Sequence, residues 1–98
     1  MANGKSIQLS TRFFATKRDA TAHFKAMLAR YHVGDRVEDD DGKDLAALLM
    51  RHPEYDNKIG PGISHFEVMS ADYGTRCFRV VRVDGTGMSF SYPYCIVQ

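Results

Sequence analysis

The stretch from Arg76 to Tyr92 limits the fold more than any other part of the chain. It reads Arg-Cys-Phe-Arg-Val-Val-Arg-Val-Asp-Gly-Thr-Gly-Met-Ser-Phe-Ser-Tyr. β-Branched and aromatic side chains dominate it, and these suit the half-buried pleated surface of a sheet. Asp84-Gly85 is a hairpin dipeptide, because glycine reaches the positive φ that a tight turn needs. The pattern predicts two antiparallel strands, Arg76–Val83 and Met88–Tyr92. Their register hangs on the turn. A two- or four-residue turn places Cys77, Arg79, Val81 and Val83 on one face with Met88, Phe90 and Tyr92. The other face then carries Arg76, Phe78, Val80, Arg82, Ser89 and Ser91. A three-residue turn flips the second strand.

What packs on this hairpin is written further upstream. Thr16 to Tyr31 reads as a helix, with Thr16 as N-cap and Asp19 as the capping-box acid. Ala20, Phe24, Met27, Leu28 and Tyr31 form its apolar stripe, and Gly34 supplies the stop. His23 falls beside the stripe, where a solvated edge is expected. A second helix is predicted from Gly42 to Arg51, with Leu45, Leu48 and Leu49 inward and Pro53 beyond its end. Ile63 to Ser70 alternates as a strand, with Phe66 and Val68 on one face. Asp72 and Gly74 mark its turn. Ile7, Leu9 and Phe13 suggest a short strand or extended arm between Ser6 and Phe14. Met1 to Lys5 is polar and expected to fray. Tyr94 to Val97, after Pro93, reads as a last short strand. His52 to Gly62, with two prolines and two glycines, reads as a structured loop. The whole chain of 98 residues is one domain. The expected fold is α+β: two helices on one face of a mainly antiparallel sheet of three to five strands.

Charge excludes a general grip on nucleic acid. The net charge is +1, and neither half is a basic arm. With 44% hydrophobic and 26% charged residues the composition is that of an ordinary globular protein. No apolar run approaches the ~20 residues of a membrane span. The N-terminus lacks the apolar core of a signal peptide. A cytoplasmic monomer is expected. Cys77 and Cys95 read as buried thiols; a disulfide would need their Cα atoms within about 7 Å.

Candidate chemistry is sparse. The acids Asp35, Glu38, Asp39, Asp40 and Asp41 invite an EF-hand, but setting Gly42 at the sixth loop position puts Val37 and Leu48 where carboxylates are required. They are better read as acids favouring a helix N-terminus. Gly60-Pro61-Gly62 after Lys58 could meet an anion, yet it matches no phosphate-loop spacing. Asp56-Asn57-Lys58 has the acid-x-Lys form of some nucleases, without a second acid beside it. Ser64 and His65 are neighbours on a strand and should point to opposite faces. No catalytic residues, cofactor or metal site are therefore expected. The remaining possibility is a stacking surface: Phe78, if left exposed, would lie between Arg76 and Arg82, with Lys58 and Arg51 available for phosphates. The competing outcome is that Phe78 is core and the arginines form its rim.

From His52 onward the residues resemble a known family. His52-Pro53, Asp56, Lys58-Ile59-Gly60, Gly62, Phe66, Arg76-Cys77-Phe78, Val80, Arg82, Asp84-Gly85, Phe90-Ser91-Tyr92 and Cys95-Ile96 are similar to the defective-chloroplasts-and-leaves (DCL) domain. Phe14, Tyr31, Gly34-Asp35 and both helices fit the same pattern. The resemblance implies a largely uncharacterised domain. Plant members act in organellar ribosomal RNA maturation, and a similar domain ends the largest subunits of plant-specific RNA polymerases. Bacterial members, with which this chain groups, have no agreed role. The expected function is a non-catalytic accessory domain with weak binding of single-stranded RNA or a ribonucleoprotein. The alternative is a protein-interaction module that docks through the 52–62 loop, using His52, Tyr55, Ile59, Gly60 and Gly62.

Overall fold

A computed structural model of the protein describes residues 6–98. The expected fraying of Met1 to Lys5 lies outside the described residues. A small hairpin opens the chain, β1 (Ile7–Gln8) paired with β2 (Phe13–Phe14). Helices α1 (Lys17–Ala29), α2 (Asp39–Leu49) and α3 (Tyr55–Ile59) follow. Then come β3 (Ile63–Ser70), β4 (Arg76–Arg82) and β5 (Gly87–Phe90), in the order β3-β4-β5, all antiparallel. The chain ends in α4 (Tyr92–Val97). The class is α+β, as the sequence implies.

Local signals built the long elements. Thr16 caps α1 by accepting the Asp19 N–H at 3.1 Å. Asp39, Asp40 and Asp41 occupy the first turn of α2, where the helix dipole favours negative charge. Asp41 has a further role: it accepts hydrogen bonds from the Tyr31 hydroxyl at 2.6 Å and from Arg30, tying the end of α1 to the start of α2.

The core lies between one sheet face and the helices. Phe66, Val68, Phe78, Val80 and Phe90 point into it, against Ala20, Phe24, Met27, Leu45, Leu48, Cys95 and Ile96. The other face carries His65, Glu67, Met69, Cys77 and Arg79, and these stay partly accessible. Beyond β3 the segment 34–37 extends the sheet edge, with Gly34 N–H donating to Val68 and Val37 N–H to Phe66.

The β4–β5 turn decides the position of the central aromatic. Phe78 pairs with Phe90 and Val80 with Met88, so the turn is Val83-Asp84-Gly85, three residues long. Gly85 takes φ 90°, the left-handed step that closes such a turn. This is the flipped register, and it brings Phe78 and Phe90 to one face. Phe78 is fully buried, so it is core and offers no stacking platform. The reason is packing: the ring lies 6.2 Å from both Phe90 and Tyr92 beneath the helices.

Two further expectations are corrected. The 52–62 loop contains α3, and Tyr94–Val97 is helical instead of extended. Both helices are too short to stand alone. Ser91 caps α4 by accepting the Tyr94 N–H at 3.3 Å, with Pro93 in its first turn. Arg51 closes its far end, donating to the carbonyls of Cys95 at 3.0 Å, Ile96 at 3.2 Å and Gln98 at 2.6 Å. Arg82 does the same for α3, donating to the carbonyls of Lys58 at 3.0 Å and Asn57 at 2.8 Å. A guanidinium at a helix C-terminus satisfies orphan carbonyls and complements the dipole.

His23 is not a solvated edge. Its Nε2 lies 3.1 Å from Asp44 Oδ2, and its ring packs on Phe14 and Phe24. Asp44 is the one buried charged residue among the described residues. Arg12 donates to it at 2.9 Å, joining the N-terminal hairpin to α2. Burial pushes the Asp44 carboxyl up, but hydrogen bonds from Thr11, Arg12 and His23 outweigh this and hold it below the ordinary carboxylate range.

Candidate functional site

A pocket of about 530 Å³ opens where β5 leaves the sheet and turns into α4. Ser89, Phe90, Ser91, Tyr92 and Pro93 form one wall. His52 and Lys58, from the α2–α3 connection and α3, flank it, and Arg76 and Cys77 enter from the start of β4. Three of the residues singled out from sequence thus line one pocket, Arg76 joining His52 and Lys58 of the 52–62 segment.

Each is held by a backbone contact. Lys58 Nζ donates to the Ser89 carbonyl at 3.0 Å. Ser89 sits opposite Arg79 at a non-hydrogen-bonded pair, so this carbonyl belongs to the free edge of β5, which the lysine covers. Arg76 donates to the carbonyl of Tyr31. His52 Nδ1 accepts the Glu54 N–H at 2.9 Å, which leaves the ring proton on Nε2 as a donor. Burial, and then the Lys58 charge, lower the His52 pKa, so the ring is neutral near pH 7. Among the described residues no carboxylate side chain lines the pocket. Among the described residues neither Lys58 nor Arg76 has an acidic partner within 4.0 Å. Two cations without an acidic partner among the described residues, a neutral imidazole and two serines therefore line one cavity, an arrangement that favours an anion.

The remaining sequence candidates are placed elsewhere. Phe78 is in the core, and Arg51 and Arg82 are bound to helix ends. Tyr55 and Ile59 are half-buried against the core, so they are not exposed docking anchors. The 52–62 segment is tied down by the Val83 N–H, which donates to the Gly62 carbonyl at 3.0 Å. Gly60, at φ 53°, lies so close to Arg82 that a Cβ would meet its Cδ at 2.8 Å. Asp56 and Lys58, two apart on α3, do not share a face, which removes the acid-x-Lys reading.

Ser64 and His65 do meet, contrary to the strand rule. A bulge between Ile63 and His65 brings Ser64 Oγ to 3.0 Å from His65 Nδ1. His65 Nε2 lies 2.8 Å from Glu67 Oε2, and Arg79 pairs with the same carboxylate at 3.6 Å. The adjoining cavity is lined by Glu38 and Asp39 with only Lys43 to offset them, and this net negative charge disfavours an oxyanion at Ser64. Sequence reading missed this relay and Asp44; an acid within an otherwise apolar helix face was the available signal for the latter.

Fold and site define a small α+β domain with a one-sided sheet and a basic pocket at its free edge. The chain belongs to the DUF3223 family, proteins of unknown function, whose model matches residues 25–96. Protein DCL, chloroplastic, of Solanum lycopersicum is 43% identical over 70 residues, 68% of this chain and 31% of that protein. DNA-directed RNA polymerase IV subunit 1 of Arabidopsis thaliana is 35% identical over 74 residues, 74% of this chain and 5% of that protein. The chain thus spans less than a third of the length of these curated relatives. The solution NMR structure of an uncharacterized protein from Rhodospirillum rubrum has the same fold, with a TM-score of 0.88 at 49% identity over 97% of this chain and 91% of that one. No helix among the described residues is long and apolar enough to cross a membrane.

Proposed function

We propose that this domain is a non-catalytic, cytoplasmic accessory module in RNA maturation that holds RNA weakly through a phosphate in the Lys58–Arg76 pocket. The observation that supports this reading is the pocket itself: two cations without an acidic partner and a neutral His52 line it, and no acid among the described residues joins them. The names of the relatives supply the RNA context, since two of them are subunit 1 of DNA-directed RNA polymerases IV and V. The reading no longer rests on stacking. A titration of labelled single-stranded RNA in low salt tests it. Amide shifts should move at Lys58 and Ser89 to Tyr92, and Lys58→Ala should weaken binding severalfold. With one phosphate contacted, the salt slope on single strands should be shallow, about −1. Unmoved shifts at millimolar RNA would refute it.

One observation favours a second reading, docking to a protein. Tyr73 stands wholly exposed at the β3–β4 turn with φ 60°, an unusual place and conformation for an aromatic residue. A partner captured independently of RNA and lost in Tyr73→Ala would support it; capture unaffected by that change would discard it.

A further inference from the structure

We infer that the pocket takes a terminal phosphomonoester of a nucleotide or polynucleotide, and not the internal diesters of a strand. This deepens the RNA reading above and rests on it.

The argument begins with charge. A phosphodiester carries one negative charge, whereas a phosphomonoester carries nearly two at pH 7, its second pKa being about 6. Lys58 and Arg76 supply two positive charges within one cavity. Their number matches a monoester dianion. His52 has a neutral ring with its proton on Nε2, and Ser89 lines the same pocket. The oxygens of a monoester outnumber the free pair of a diester, so all these donors can be used at once.

The surroundings argue against a threaded strand. After Leu49 the chain has five basic residues: Arg51, Lys58, Arg76, Arg79 and Arg82. Arg51 and Arg82 are bound to helix-end carbonyls. Arg79 is paired with Glu67 at 3.6 Å. Lys58 and Arg76 each donate to a single backbone carbonyl, have no acidic partner among the described residues, and line the pocket. The exposed Arg36 lies beside β3, at the opposite edge of the sheet from β5, so among the described residues of the sheet no basic track leads away from the pocket, and such a track is what internal phosphates require. One well-supplied phosphate position and no continuation is the electrostatic form of an end-recognition site.

Size agrees. A cavity of about 530 Å³ is far larger than a lone phosphate needs and falls in the range of small-molecule sites, about 300–1,000 Å³. Tyr92, Pro93 and the His52 ring give the rest of the space a partly apolar lining against which a terminal nucleoside can lie.

The test compares ligands on the wild-type protein, so it does not depend on a variant folding. A short single-stranded RNA is titrated with a 5′-phosphate, with a 3′-phosphate, and with hydroxyls at both ends, alongside a nucleoside monophosphate. One phosphorylated form should bind at least tenfold tighter than the hydroxyl form at pH 7.5. That preference should vanish in Lys58→Ala. A mononucleotide that binds while both phosphorylated strands stay inert would keep the phosphomonoester site but overturn the RNA reading. Equal binding of all three strands, lost together in Lys58→Ala, would overturn the end-recognition inference and leave the RNA reading intact. No binding by any ligand would overturn both.

Discussion

Phe78 and Phe90 face each other across β4 and β5, with ring centroids 6.2 Å apart and planes inclined by 23°. The pair anchors the sheet to the helices, since Phe66 and Tyr92 pack on its two sides. Phe78→Ala should therefore act as a large cavity mutation, destabilising the fold by about 3–5 kcal/mol. Chemical denaturation measures this. If stability falls by less than 1 kcal/mol while RNA binding falls tenfold, the ring is a contact surface after all.

Arg82 and Gly60 form a second unit, with the guanidinium stem packed against a glycine in the left-handed region. Gly60→Ala strains the backbone and pushes on Arg82, and should cost about 1–2 kcal/mol. Arg82→Ala should cost about 1 kcal/mol, given its partial exposure. In both, hydrogen exchange should quicken first in α3. Uniform exchange across the domain would show that the two residues do not serve that helix.

Asp44 predicts the acid behaviour. Its folded pKa is depressed, so its stabilising contribution is present above the unfolded value of about 3.9 and is lost as pH falls through the lower folded value. Stability should drop below about pH 4, and Asp44→Asn should flatten that drop. At pH 7 the same change should cost about 1–2 kcal/mol, because Arg12 is half-exposed and partly screened. An unchanged acid limb in Asp44→Asn would assign the drop to other carboxylates.

The thiols should be slow and unequal. Both are free. Burial pushes Cys95 up to about 11 and also raises Cys77, which is only half-buried on the pocket wall. Alkylation at pH 8 should label Cys77 slowly and Cys95 only on unfolding. A ligand in the pocket should protect Cys77. Rapid labelling of Cys95 in the native protein would contradict its burial.

Sequence alone determined the parts whose signals are local. The Thr16 cap, the stripe of α1, the alternation of β3 and the Asp84-Gly85 turn need only neighbouring residues to act, and each formed where the pattern put it. The class of fold followed from them. Tertiary structure decided the rest, because those outcomes depend on partners distant in the chain. A turn of two or three residues differs little locally, yet it chose which face Phe78 occupies, and the core settled it by accepting Phe78 and Phe90 together. Helices α3 and α4 are too short to nucleate, and they exist because Arg82 and Arg51 reach them from 24 and 44 residues away. The same distances decided the site: a sequence shows five basic residues after Leu49, but only packing shows that Arg51 and Arg82 close helix ends, that Arg79 pairs with Glu67, and that Lys58 and Arg76, each on one backbone carbonyl, line the pocket.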